Sequence, residues 1–228
     1  MKKQLIFLFT AGVLLLSSCL KDDSTTNPPF ASVSLSNYLT TENSIFYQVD
    51  NKNVTNSNGN YEGITGFYAI PGNKNIKAFE IGSTTKLIDT NLTFVDSSAY
   101  SCYIFGLRER PEFIRTNDNA ISNLGNKSGI RFIHLANGIG KVNITIGTQD
   151  IKEFLNRDKE TKNSVVETQK FRSATGGTFT ITAKDSEGNI ITTLNNITLR
   201  EGGYQNLILI GTKGNTKFPL KLVYNTYY

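Results

Sequence analysis

The sequence predicts an all-β protein made of two sandwich units in tandem, and three observations carry that expectation. Short runs of alternating apolar and polar residues, bounded by Gly, Asn and Asp, recur along the whole length. Helical periodicity never persists beyond about two turns. The chain also repeats itself, which marks a structural unit used twice.

The repeat fixes the first strands. Val33-Ser34-Leu35-Ser36-Asn37-Tyr38 lies on Ile130-Arg131-Phe132-Ile133-His134-Leu135 at an offset of 97, and the same offset carries Ile45-Phe46-Tyr47-Gln48-Val49 onto Val142-Asn143-Ile144-Thr145-Ile146. Apolar residues alternate in each run, as half-buried strands require. The offset then grows, because the segment between Ile151 and Thr175 is longer than its counterpart between Val54 and Pro71. Beyond it, Leu92-Thr93-Phe94-Val95-Asp96 lies on Ile197-Thr198-Leu199-Arg200-Glu201, and Gly106 on Gly211, at an offset of 105. Tyr100 and Tyr204 each open a run apolar on both faces, Cys102–Phe105 and Leu207–Ile210, the expected central strands. Gly176-Gly177 and Gly202-Gly203 read as hairpin turns. They are not phosphate loops, since neither a helical pattern nor a Lys-Ser/Thr pair follows.

Asp96-Ser97-Ser98-Ala99-Tyr100-Ser101-Cys102 resembles the turn entering strand F of immunoglobulin-like domains, where a tyrosine corner ties the chain back on itself. Arg200-Glu201-Gly202-Gly203-Tyr204 is a looser likeness in the second unit. Tryptophan is absent and no early strand carries a partner for Cys102, so the inter-sheet disulfide of antibody domains is not expected. The expected fold is two tandem immunoglobulin-like Greek-key β-sandwiches, residues 31–117 and 128–228, joined by a linker at 118–127 that holds Asn119, Asn123, Gly125 and Asn126. About seven strands in about 100 residues suits each unit.

The first residues read as an address. Met1-Lys2-Lys3 followed by an apolar run from Leu5 to Leu16 has the form of a signal peptide, residues 1–18. The run is shorter than the roughly 20 residues a spanning helix needs. Leu16-Ser17-Ser18-Cys19 resembles the lipobox of bacterial lipoproteins, which implies a lipid on Cys19 as the first mature residue and hence a membrane partner. Lys21-Asp22-Asp23 is similar to the surface-export signal of Bacteroidetes lipoproteins, implying an outer-membrane protein that faces the medium. Residues 19–30 then form a tether of polar and proline residues; its eleven residues after Cys19 extend to roughly 35 Å at about 3.3 Å each. Asp23-Ser24-Thr25 resembles an O-glycosylation sequon of that phylum.

Loss of residues 1–18 leaves 210 residues and removes Lys2 and Lys3, so the net charge of +5 becomes +3. Nucleic acid is not an expected partner, because its recognition needs a concentrated basic face. With Cys19 lipidated, Cys102 is a lone thiol outside the reducing cytoplasm, best kept buried.

The chemistry that catalysis requires is not assembled in the sequence. His134 is the sole histidine and sits in an alternating strand, where packing rather than base catalysis is expected. One histidine and one thiol do not make a metal set, and no cofactor motif occurs. The acids Asp50, Asp89, Asp96, Asp185 and Glu187 fall at positions that read as turns. Aromatic residues are the better binding candidates: Tyr61, Phe67 and Tyr68 in one expected loop, and Tyr224, Tyr227 and Tyr228 at the end.

Arg131-Phe132-Ile133-His134, the Val142–Ile146 strand and Gly203-Tyr204 with the Leu207–Gly211 strand together resemble a family of uncharacterised Bacteroidetes cell-surface lipoproteins with tandem immunoglobulin-like domains of unknown function. The resemblance implies fold and address. The expected role is a non-enzymatic binding or adhesion module for a glycan or protein ligand. The alternatives are an architectural accessory subunit of an envelope complex and, ranked below it, a carboxylate-dependent glycan hydrolase with an acidic cleft between the units.

Overall fold

Alternation along the chain becomes fifteen strands in a computed structural model that describes residues 28–55 and 59–227. The expected signal peptide, Cys19 and Lys21-Asp22-Asp23 lie outside the described residues. The first half contains β1 (Ala31–Thr40), β2 (Ile45–Val49), β3 (Lys52–Asn53), β4 (Ile64–Ala69), β5 (Gly72–Glu80), β6 (Lys86–Phe94), β7 (Ala99–Leu107) and β8 (Arg110–Asn117). The second contains β9 (Lys127–His134), β10 (Val142–Ile146), β11 (Arg172–Thr175), β12 (Gly177–Asp185), β13 (Ile190–Leu199), β14 (Tyr204–Ile210) and β15 (Lys221–Tyr227). A 3-10 turn, Lys152–Phe154, and a short helix, α1 (Val165–Thr168), interrupt the stretch between β10 and β11.

Each half is a pair of sheets. In the first, the orders are β4-β1-β7-β8 and β3-β2-β5-β6; in the second, β11-β9-β14-β15 and β10-β12-β13. The two halves share one topology, except that nothing equivalent to β3 pairs with β10, where an isolated bridge from Val142 to Arg157 stands instead. The immunoglobulin arrangement is not what forms. There the sheets are ABED and CFG, with the first strand beside the second; here β1 is interior to its sheet and runs parallel to β7, and β9 runs parallel to β14. The physical reason is that β1 is covered on both faces. Leu35 and Leu39 enter the core between the two sheets, while Tyr38 enters a separate cluster on the opposite side. A strand buried twice belongs in the middle of a sheet.

Gly176-Gly177 and Gly202-Gly203 are likewise not hairpin turns. The strands they connect, β11 to β12 and β13 to β14, belong to different sheets, so these glycines form arches between layers. Gly177 and Gly202 adopt φ of +133° and +71°, conformations that favour residues without a Cβ.

The cores follow from period-two alternation. Ile130, Phe132, Ile144, Ile181, Leu207 and Leu209 anchor the second core, and Val33, Leu35, Ile45, Ile76, Cys102 and Ile104 the first. The alternate residues of the central strands, Tyr103 and Phe105 of β7 with Ile208 and Ile210 of β14, meet in a third cluster joining the halves. Four sheets are therefore stacked, and the two inner ones face each other.

Candidate ligand-binding site

Where the halves meet, equivalent strand positions carry different residues. On β1 and β7, Ser34 donates to Ser101 at 3.2 Å. At the equivalent positions on β9 and β14, Arg131 Nε donates to Asn206 Oδ1 at 2.7 Å. Arg131 is fully buried and crosses between the halves: its Nη2 pairs with Asp118 Oδ1 at 2.7 Å, and its guanidinium stacks 4.6 Å from the centre of the Phe171 ring. Ser101 and Thr116 also donate to the Asp118 carboxylate, at 2.7 and 3.0 Å. Asp118, the first residue of the expected linker, is thus the hub of a buried ion pair. Such a charge needs several partners to offset its lost hydration.

The extra length between Ile151 and Thr175 is the second device. Val165 of α1 enters the cluster between the halves, Gln169 Oε1 accepts from the Asn117 N–H at 2.6 Å, and Lys159 pairs with Glu112. Arg157 and Glu160 brace the segment from below: Arg157 donates to Glu160 and, at 3.0 Å, to the Phe132 carbonyl. On the outer margins of the junction, Lys221 pairs with Glu62 at 2.7 Å and Asn225 donates to the Tyr38 hydroxyl at 3.2 Å.

The second half does not cover the whole inner sheet of the first. At the N-terminal end of β1 it leaves a notch of about 440 Å³ lined by Ser32, Ser34, Gly66, Tyr68 and Asp118 among others. The register explains it. Ser32 lies opposite Tyr68 and Ser34 opposite Gly66, so one face of β1 and β4 carries two hydroxyls, one large ring and one missing side chain. A Cβ on Gly66 would meet nothing nearer than 4.0 Å, so the space beside Ser34 is open rather than a packing gap. Tyr68 is 75 % exposed, and its ring is held edge-on against Phe30 at 4.8 Å. Because Ser34 gives its proton to Ser101, and Ser101 its own to Asp118, the lone pairs of Ser34 remain for a ligand hydroxyl.

Of the aromatic candidates read from sequence, Tyr68 is the one among the described side chains that presents its ring this way. Phe67 and Tyr68 belong to β4 rather than a loop; Phe67 turns toward the core, and Tyr61 packs on Phe218 across the junction at 4.8 Å. Tyr224 lies on β15 with its hydroxyl donating to the Thr198 carbonyl at 2.7 Å. Tyr228 and the side chain of Tyr227 lie outside the described residues.

His134 is fully buried. Its Nδ1 accepts from the Ala136 N–H at 3.3 Å, which leaves the proton on Nε2, 3.3 Å from the Gly140 carbonyl. Burial lowers its pKa from 6.5 to about 4. Cys102 is buried against Tyr100 and Ile104, and desolvation pushes its thiol well above the usual range. The Tyr100 hydroxyl accepts from the Val95 N–H at 3.2 Å, the expected corner. Tyr204 forms no such corner. It pairs in register with Gly129, one position out of phase with Tyr100 opposite Val33, and so points away from the core, where its ring packs on Phe171 and its hydroxyl bonds the N–H of Ile121 at 2.9 Å.

Four of the acids sit at turns or strand ends, but Asp89 lies within β6, paired with Lys86 at 2.6 Å. Asp50 pairs with Lys74, Asp96 accepts from the Phe30 N–H, and Asp185 accepts from Glu187 and Asn189. Among the described residues no three His, Cys, Asp or Glu side chains gather as a metal site.

The fold and surfaces define a class: a paired β-sandwich protein with open, polar concave surfaces. The family described as a domain of unknown function (DUF4397) matches residues 31–145, half of the chain, and the protein belongs to that family. The match spans the first half and continues through β9 into β10. No curated protein matches the chain. A crystal structure of CBMbc, family CBM26, from Eubacterium rectale Amy13K in complex with maltoheptaose is similar at 10 % identity and a TM-score of 0.28, covering 87 % of this chain and 97 % of that one.

Proposed function

We propose that the protein is a lipid-anchored, surface-facing binding module of the outer membrane, without enzymatic activity, and that the notch at Tyr68 holds a polyhydroxylated ligand, a glycan. One observation carries this reading: a tyrosine ring three-quarters exposed, fixed on a strand, beside a floor of serine hydroxyls. The apolar face of a sugar ring stacks on an aromatic side chain while its hydroxyls exchange hydrogen bonds with Ser32 and Ser34. The notch volume falls within the range of small-ligand sites, about 300–1,000 Å³. Support for the anchor remains the Leu16-Ser17-Ser18-Cys19 likeness, and for export Lys21-Asp22-Asp23.

Retardation of the mature chain in gels containing soluble polysaccharides tests the notch. Tyr68→Ala and Gly66→Leu should each abolish retention, the second by filling the space beside Ser34, while thermal unfolding stays at the wild-type temperature. Retention of either variant as strong as that of the wild type, or no retention of the wild type by any glycan, sinks the reading. Release of reducing ends from a retained glycan would overturn the non-enzymatic part. A fatty-acid analogue should label wild type but not Cys19→Ala, and surface protease on intact cells should remove the protein unless Lys21, Asp22 and Asp23 are replaced by alanine.

A further inference from the structure

A second concave surface, separate from the notch, follows the open edge of the first sandwich. Among the described residues β6 pairs only with β5, and β8 only with β7, so both sheets end on the same side. At the β8 edge the inserted segment meets the Asn117 N–H through Gln169 and the Glu112 side chain through Lys159. On its open side β6 pairs with no strand among the described residues. Arg115 Nη1 donates to the Thr93 carbonyl at 2.7 Å, so Thr93 directs that group away from β5. In an antiparallel strand, residues two apart share this direction, and Asn91 and Asp89 therefore present their N–H and C=O groups to the same open edge. An unpaired strand edge is a template for another strand.

The space beside that edge is shaped for one. A groove of about 570 Å³ between β6, β8 and α1 continues into another of about 390 Å³, the two sharing Thr90, Phe113 and Lys162. Phe113 belongs to the core of the first half and gives an apolar floor, while Asn91, Gln169 and Lys162 form the rims. Charge supplies direction. Asp89 and Glu112 at the groove are each paired with a lysine, whereas Arg115 and Lys162 make no ion pair among the described residues. The groove therefore offers two cations that lack an ion-pair partner among the described residues, beside a strand edge that stays open at Asn91 and Asp89. Of the two, Arg115 donates to the Thr93 carbonyl and lies 4.9 Å over the Tyr100 ring.

We propose that β6 is the docking strand for an acidic, extended peptide segment of a partner protein. The segment adds beside β6 through the backbone groups of Asp89 and Asn91, and its carboxylates meet Arg115 and Lys162. Backbone hydrogen bonds supply affinity, and alternate side chains, one set on Phe113 and the other toward the rims, supply selectivity.

Fluorescein-labelled peptides of nine residues, the length of β6, provide the test: one alternating Thr and Glu, one alternating Thr and Lys, titrated with the mature chain by anisotropy. The acidic peptide should bind saturably and the basic one should not. Lys162→Glu should weaken binding by about tenfold or more, as loss of a charge-assisted contact does. Methylating alternate backbone nitrogens of the peptide should abolish binding without altering the protein. Gly66→Leu, which closes the notch, should leave the peptide affinity unchanged and so separates this proposal from the glycan reading. Equal affinity for both peptides, indifference to methylation, or no saturable binding overturns the proposal. Binding of a polyuronate oligosaccharide in place of the peptide, lost in Lys162→Glu, likewise overturns it and assigns the groove to acidic glycan.

Discussion

Asn37 and His134 occupy the same place in the two halves and do the same work with different chemistry. Asn37 Oδ1 accepts from the N–H of Leu39, two residues on, and its Nδ2 donates to the Gly59 carbonyl. His134 Nδ1 accepts from the N–H of Ala136, also two residues on, and its Nε2 reaches the Gly140 carbonyl. The protein's one imidazole is thus a bridge between strand end and loop, a task an amide performs 97 residues earlier. Ser34 and Ser101 against Arg131 and Asn206 teach the complementary lesson. There the same frame holds small residues in one half, which leave a notch open, and long ones in the other, which cross the junction and tie it.

The comparison is sharpest at Arg131. Arg131→Ala should cost about 3–5 kcal/mol, because it strands the Asp118 carboxylate in a buried setting. Ser34→Ala, at the equivalent position, should cost about 1 kcal/mol or less. Urea unfolding of both variants measures the difference, and similar losses would deny the asymmetry.

The imidazole predicts a pH dependence that the amide does not share. His134 is neutral in the fold with its pKa lowered to about 4, so the unfolded chain binds the extra proton first. Its contribution is fully present above about pH 6.5 and is lost as pH falls toward 4, a span worth roughly 3 kcal/mol. His134→Asn, borrowing the solution used at Asn37, should flatten this part of the stability profile. An unchanged slope would show that other groups carry it.

Cys102 and Tyr100 test the first core more gently. Cys102 should resist alkylation until the protein unfolds; Cys102→Ser should cost about 1–3 kcal/mol and Cys102→Ala less than the serine change. Tyr100→Phe and Tyr204→Phe should each cost about 1 kcal/mol but at different places. Amide exchange should quicken at Val95 in the first variant and at Ile121 in the second. The same site responding in both would mean the two tyrosines are equivalent after all.

Period-two alternation, the repeat and the two doubly apolar runs were legible because they are local signals. They gave the strands, the central position of β7 and β14, and the buried Cys102. The interior place of β1 was hidden by Ser32, Ser34 and Ser36, whose hydroxyls read as a solvent face. Arg131 reads as a surface charge, since its partner Asp118 stands in what looks like a linker and only folding brings them together. Tyr204 misled by a single residue: after Gly202-Gly203 the strand begins one step out of phase, and one step reverses the face. The extra stretch after Ile151 was visible as length, but its capping of β8 depends on Gln169 meeting Asn117 from 52 residues away. The notch needed Gly66 beside Ser34, a pairing no local pattern contains.

The interior, parallel placement of β1 also decides how the molecule bears tension. A pull at Phe30 acts along the strand axis, and β1 is gripped on one side by β4 over Ala31–Ser36 and on the other by β7 over Ser32–Thr40. Both ladders are then loaded in shear, with their hydrogen bonds strained together rather than parted singly. The same strand ends in the buried contacts of Tyr38, whose hydroxyl accepts from Asn225, so the load passes into the junction and is shared with the second half. A protein hauled from its N-terminal side while gripped elsewhere would give way late and abruptly, as a rivet fails rather than as a zip opens.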